Sequence, residues 1–220
     1  MKTLLKILAV WFVILAGCER QVPVADTLFI SGYEIQGKVT DRIGNPIDSV
    51  VVLLDYTTNP FYADTVITRK YFVTDPSVPI QAVAVNSDNV VVVALTPPRN
   101  VFGWFQATWN GIDSSGKTAP SGIYHIQYVA GGQVVYSYDK LVSGGQVAVT
   151  DAYGRYTIPG RFLPIDSTSV PYFSIYDSSY VYNEQISNDV VLTFVYPPRI
   201  RYVEQSLSVG MVTFVDVVFK

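Results

Sequence analysis

With 220 residues and 15 basic against 18 acidic side chains, the chain carries a formal charge of −3 and lacks the basic excess that nucleic-acid binding requires. Charged residues make up only 15% of it, whereas 14% is aromatic and Tyr alone counts 16, alongside abundant Val, Thr, Ile, Gly and Pro, which predicts an all-β protein. One cysteine and one histidine are too few for a disulfide framework or a zinc site.

Residues 1–17 combine Lys2 and Lys6, an unbroken apolar run and small residues at Ala16-Gly17. They read as a secretory signal peptide with a helical apolar stretch, too short for a comfortable membrane span. Leu15-Ala16-Gly17-Cys18 resembles the bacterial lipobox, which implies that Cys18 is lipidated and becomes the new N-terminus. Two or more acyl chains make a stable anchor, so the resemblance implies an exported protein held on the cell envelope. Glu19 does not look like an inner-membrane retention aspartate, which favours the outer membrane. Losing Lys2 and Lys6 leaves 13 basic against 18 acidic residues, a balance of −5. Residues 18–32 read as a tether.

The first clear strand is 33–41, where Ile35, Gly37 and Val39 alternate with Glu34, Gln36, Lys38 and Thr40. A turn at Asp41-Arg42-Ile43-Gly44 leads to a second strand at 49–56: Asp caps the turn backbone and Gly takes the positive φ. The same phrase returns at Thr150-Asp151-Ala152-Tyr153-Gly154-Arg155-Tyr156. Paired strands are expected at 80–85 and 90–95, a hairpin over Gly131-Gly132, and later strands at 170–177, 190–196 and 211–219. One stretch imitates a nucleotide site, because Gly111-x-x-x-x-Gly116-Lys117-Thr118 fits the phosphate-loop pattern. That mechanism needs a helix whose first amides hold the phosphates. Ala119-Pro120-Ser121-Gly122 breaks a helix instead, and Asp113 would repel a phosphate, so the stretch is expected to be a turn between strands.

The motif Gly37-x-Val39-x-Asp41-x-x-Gly44-x-Pro46-Ile47-x-x-Val50-x-Val52 resembles the opening of a carboxypeptidase regulatory-like domain, a transthyretin-type sandwich. Residues 150–158 are similar to the hairpin that follows shortly in that family, but here about ninety residues intervene. The intervening block, with Trp109-Asn110-Gly111-Ile112-Asp113-x-x-Gly116 and Ser121-Gly122-Ile123-Tyr124, is similar to the Ig-like domain of the flagellar hook-capping protein. Asn110 stands where that family usually has Asp. The two resemblances together imply one sandwich, 33–56 plus 144–220, with a second Ig-like sandwich, 57–143, inserted into it. Neither family carries chemistry.

Candidate reactive groups are sparse. His125 alternates with Tyr124 and Ile126 and is expected to face solvent from a strand. Asp41, Asp48, Asp113, Asp151, Asp166 and Asp189 recur at turns, where capping and calcium ligation are the alternatives. Tyr172, Tyr176, Tyr180 and Tyr182 crowd the C-terminal third with Phe173, Phe194, Tyr196 and Tyr202. They are the candidate ligand-contact aromatics, against the alternative of plain packing. No cofactor is expected. The leading expectation is a non-catalytic, lipid-anchored envelope protein for structural display or binding another envelope protein. The alternative is a glycan-binding surface lipoprotein of a polysaccharide-uptake system. A hydrolase would need paired carboxylates that nothing in the sequence assembles.

Overall fold

The computed structural model describes residues 32–62, 69–165, 169–173 and 181–220. The signal segment, Cys18, the tether as far as Ser31, Asp166, Tyr176 and Tyr180 lie outside the described residues, as does the end of the strand expected at 170–177, from 174 onwards. Apart from one 3-10 turn at Gly160–Phe162, the regular structure described is all β. In chain order the strands are β1 (Tyr33–Asp41), β2 (Val51–Tyr62), β3 (Lys70–Val73), β4 (Ile80–Val85), β5 (Val91–Ala94), β6 (Gly103–Gln106), β7 (Gly122–Ala130) and β8 (Gln133–Val142). They continue with β9 (Gly145–Val149), β10 (Arg155–Ile158), β11 (Ser169–Phe173), β12 (Val181–Tyr196), β13 (Arg199–Ser206), β14 (Met211–Phe214) and β15 (Val217–Phe219).

In one sheet β1 lies between antiparallel β10 and parallel β14 and β15. In a second, β2 lies between antiparallel β9 and β12. The long β12 carries β11 along its first part and β13 along its second. Inward residues of these two sheets meet in one core: Ile35 and Val39 with Ile158 and Phe219 from the first, Val52 and Leu54 with Leu192 and Phe194 from the second. Phe194 packs edge-on to Tyr156, centroids 5.4 Å apart, which fills the middle of that core.

Residues 73–142 supply a separate buried cluster. One sheet runs β5-β4-β7-β8 and a two-stranded sheet pairs β3 with β6. Between them lie Ile80, Ala82, Ala84, Ile126, Tyr128 and Tyr138 against Phe105, Trp109 and Val73. Tyr128 is buried without losing its polar partners, since its hydroxyl accepts from the Ala107 amide (3.0 Å) and donates to the Arg69 carbonyl (2.7 Å). The β7–β8 hairpin closes over Gly131 and Gly132, whose φ of +57° and +80° give the right-handed twist that a two-residue turn needs.

The structure departs from the strand reading of the sequence in several places. The segment expected as one strand at 211–219 is broken into β14 and β15, and β12 begins at Val181 rather than at 190. β2 does not stop near 56 but runs on to Tyr62, pairing with β12 as far as Tyr182, after an irregularity between Ile186 and Val190. β13, not anticipated, is an edge strand exposed along most of its length. Its Arg199, Arg201 and Glu204 hide the alternation by which a half-buried strand is recognised.

Candidate functional site

Of the six aspartates expected at turns, Asp41, Asp113 and Asp151 close their turns with their own side chains, whereas Asp189 lies within β12 and accepts from the Ser206 hydroxyl of β13. Asp41 Oδ1 accepts from the amides of Ile43 and Asn45, both at 2.9 Å, with Gly44 at φ +88°. Asp151 Oδ1 accepts from Tyr153 and Arg155, with Gly154 at φ +72°. Asp113 Oδ1 accepts from the Ser115 amide (2.8 Å), the Ser115 hydroxyl (2.7 Å) and the Lys117 amide (3.0 Å), with Gly116 at φ +80°. Asn86 repeats the device with Asn89 in the left-handed position. Hence the phosphate-loop look-alike is a hairpin turn, and the Lys117 amide that would face a phosphate is committed to Asp113. The Ser115 hydroxyl bond, then the Lys117 amide, holds Asp113 below the usual carboxylate range.

His125 stands half-buried on β7, and its Nδ1 lies 2.7 Å from Oδ1 of Asp139 on β8, the residue directly opposite it in the ladder. The hydrogen bond to the Asp139 carboxylate raises the imidazole pKa above its ordinary value, against a smaller opposing effect of burial. The pair is a cross-strand bond on a partly exposed face, the kind that helps fix register.

The tyrosines divide. Tyr172 on β11, Tyr182 on β12 and Tyr62 on β2 stand opposite one another in one cross-strand row. Phe194 is fully buried, whereas Tyr202 is exposed on the edge strand β13.

The two cores meet where the sequence places the ends of the inserted segment, near 57 and 143, but the Ser121 clasp there was not expected. Ser121 is buried, and its hydroxyl donates to the Leu54 carbonyl of β2 (2.5 Å) while accepting from the Gly145 amide of β9 (2.8 Å). Ser143 adds a second clasp, accepting from the Tyr56 amide (3.0 Å) and donating to Asp55 Oδ1 (3.1 Å). Tyr56 donates its hydroxyl to the Phe162 carbonyl at 2.7 Å, and burial pushes its pKa up. Just beyond, Trp109 packs edge-on to Tyr124 with centroids 4.8 Å apart. Both polar ends are satisfied: the indole N–H by Ile112 O (2.7 Å), the phenol by Pro120 O (2.7 Å).

On the two-stranded sheet of the 73–142 core, one face is turned to water and is aromatic. Phe72 and Trp104 are directly opposite across β3 and β6, their rings edge-to-face at 5.2 Å. Phe102 also packs edge-to-face against Phe72, at 6.0 Å. Trp104 is 66% exposed, Phe102 70% and Phe72 44%, while the neighbouring Phe105 is 1% exposed and points into the core. Two residues along each strand, on the same face, are Lys70 and Gln106, both exposed. Gly103, at φ +97° with open space around it, provides the backbone kink between Phe102 and Trp104. Exposed aromatic clusters of this kind on a folded surface mark ligand or partner sites. The sequence signal was present in Phe102-Gly103-Trp104-Phe105, but strand alternation does not say which of two adjacent aromatics faces water.

No family model matches the chain, and neither does any curated protein or solved structure.

Proposed function

We propose that the chain is a non-catalytic, lipid-anchored protein of the bacterial cell envelope, in which one β-sandwich carries a second, inserted one as a display and binding module. On this reading residues 33–62, to the end of β2, and 144–220 are a carboxypeptidase regulatory-like frame, the boundary moving from 57 because β2 pairs with β12 as far as Tyr62. The segment between them, to residue 143, is an Ig-like module similar to that of the flagellar hook-capping protein. The observation that carries it is the aromatic face of Phe72, Phe102 and Trp104, held on a frame whose joint is clasped by Ser121 and Ser143. Binding surfaces depend on rigid aromatic anchors, which lose little conformational freedom when covered. Asp41, Asp113 and Asp151 use their carboxylates to close turns, and His125 uses its ring on Asp139, which supports a frame rather than a reaction centre.

The anchor is testable by metabolic labelling with radiolabelled palmitate. The wild-type chain is expected to take up label and to fractionate with membranes, and Cys18→Ser to do neither. An unlabelled, soluble wild type would remove the anchor from the account.

A further inference from the structure

We propose that the Phe72–Phe102–Trp104 face is a carbohydrate-binding site, which takes the flat C–H face of a pyranose ring of a polysaccharide. The inference rests on the binding reading above and gives that surface its ligand class.

Size speaks first. A fully exposed aromatic side chain offers about 200 Å², so three rings at the exposures found here present on the order of 350 Å². A stable protein interface takes about 800 Å² from each partner, so these rings fall well short of one by themselves. They match the scale of the functional patches found on monomers.

The chemistry of the face points the same way. Its apolar part is wholly aromatic, and a ring face attracts the weakly positive C–H groups of a sugar by the same electrostatics that favour edge-to-face ring pairs. Gln106 lies two residues along β6 from Trp104, on the same face. A carboxamide beside stacking rings supplies both the donor and the acceptor that sugar hydroxyls need. An acyl chain would cover that group without bonding it. Finally, the rings are already locked against one another at 5.2 and 6.0 Å, so little side-chain freedom remains to be lost on binding.

Affinity gel electrophoresis of the full chain, solubilised in detergent, against laminarin, xylan, mannan and amylopectin tests the site. At least one polysaccharide is expected to retard the wild type. Trp104→Ala should weaken that retardation about tenfold, and Phe102→Ala and Gln106→Ala should weaken it by smaller factors. Gly103→Ala fills open space but strains the backbone, so a loss there reports ring placement rather than a clash. Tyr202→Ala, an exposed aromatic on the outer sandwich, should leave retardation unchanged. Far-UV circular dichroism matching that of the wild type checks that the variants are folded.

Absence of retardation by all four polysaccharides overturns the proposal, as does retardation that survives Trp104→Ala. Flotation of the unlipidated Cys18→Ser chain with phosphatidylethanolamine–phosphatidylglycerol vesicles, lost in Trp104→Ala, also overturns it and assigns the face to a membrane surface. Palmitate labelling is independent of all these outcomes, so a failed sugar site and a failed envelope anchor are told apart.

Discussion

Gly145→Ala is expected to destabilise the protein by on the order of 4 kcal/mol, a large share of the roughly 5–15 kcal/mol that holds a domain folded. Gly145 opens β9 where residues 119–121 of the inserted segment pass against it. A Cβ built there overlaps the Ala119 carbonyl oxygen and lies 2.6 Å from the Ser121 amide nitrogen and 2.7 Å from the Pro120 carbonyl carbon. All three are backbone atoms, so no side chain can swing aside. β9 must instead move off residues 119–121, which also draws the Gly145 amide away from the Ser121 hydroxyl. Overpacking of this kind costs about 1–3 kcal/mol and each lost hydrogen bond about 1 kcal/mol more. Ser121→Ala is the milder companion, at about 1–2 kcal/mol, because it removes bonds without forcing the backbones apart. The Leu54 carbonyl then keeps its bond from the Gly144 amide at 2.8 Å. Urea unfolding measures both. A Gly145→Ala variant as stable as the wild type would mean that the two segments do not touch in solution.

Phe194→Ala is expected to cost about 3–5 kcal/mol, the range for emptying a fully buried aromatic site. Two probes can locate the loss. In the processed protein, from which Trp11 is removed with residues 1–17, Trp104 and Trp109 both belong to the 73–142 half of the molecule, so tryptophan emission follows that half, whereas far-UV circular dichroism follows all strands. The dichroism midpoint should fall while the emission transition moves by less than about 0.5 kcal/mol, because distant sites without shared partners act independently. Equal shifts in both probes would contradict the division into two cores.

Several parts of this fold can be read directly from residues. The Asp-x-x-Gly phrase at 41–44, 113–116 and 151–154 becomes the same turn each time, because a carboxylate spaced this way caps the amides two and four residues on while glycine takes the left-handed position. The Gly131-Gly132 hairpin follows from equally local rules. Alternation in 33–41 also holds, with Ile35 and Val39 fully buried. Gly37 is different. It reads as an inward position, yet its role is to let Val215 cross beneath it, since a Cβ there would overlap the Val215 carbonyl oxygen and crowd the Tyr156 ring at 2.8 Å. That contact joins residues far apart in the chain and leaves no local trace.

The site was harder to read for the same reason. A count of tyrosines directs attention to 172–182, whereas the exposed edge-to-face cluster of Phe72, Phe102 and Trp104 comes from β3 and from β6 with the residue before it, about thirty residues apart. Neither strand is long enough to show a period, and only their pairing brings Phe72 beside Trp104. Ser121 likewise reads as the start of a strand. Its role as a clasp depends on β2 and β9 arriving at the same place.

The most direct test of the account is acrylamide quenching of the processed, lipidated protein, comparing Trp109→Phe, in which Trp104 emits alone, with Trp104→Phe, in which Trp109 does. An open aromatic face predicts long-wavelength emission from Trp104, like that of a solvated indole, quenched far more steeply than Trp109. A blue-shifted Trp104 that acrylamide reaches no better than Trp109 would show the face to be covered, and the proposed working surface would be lost.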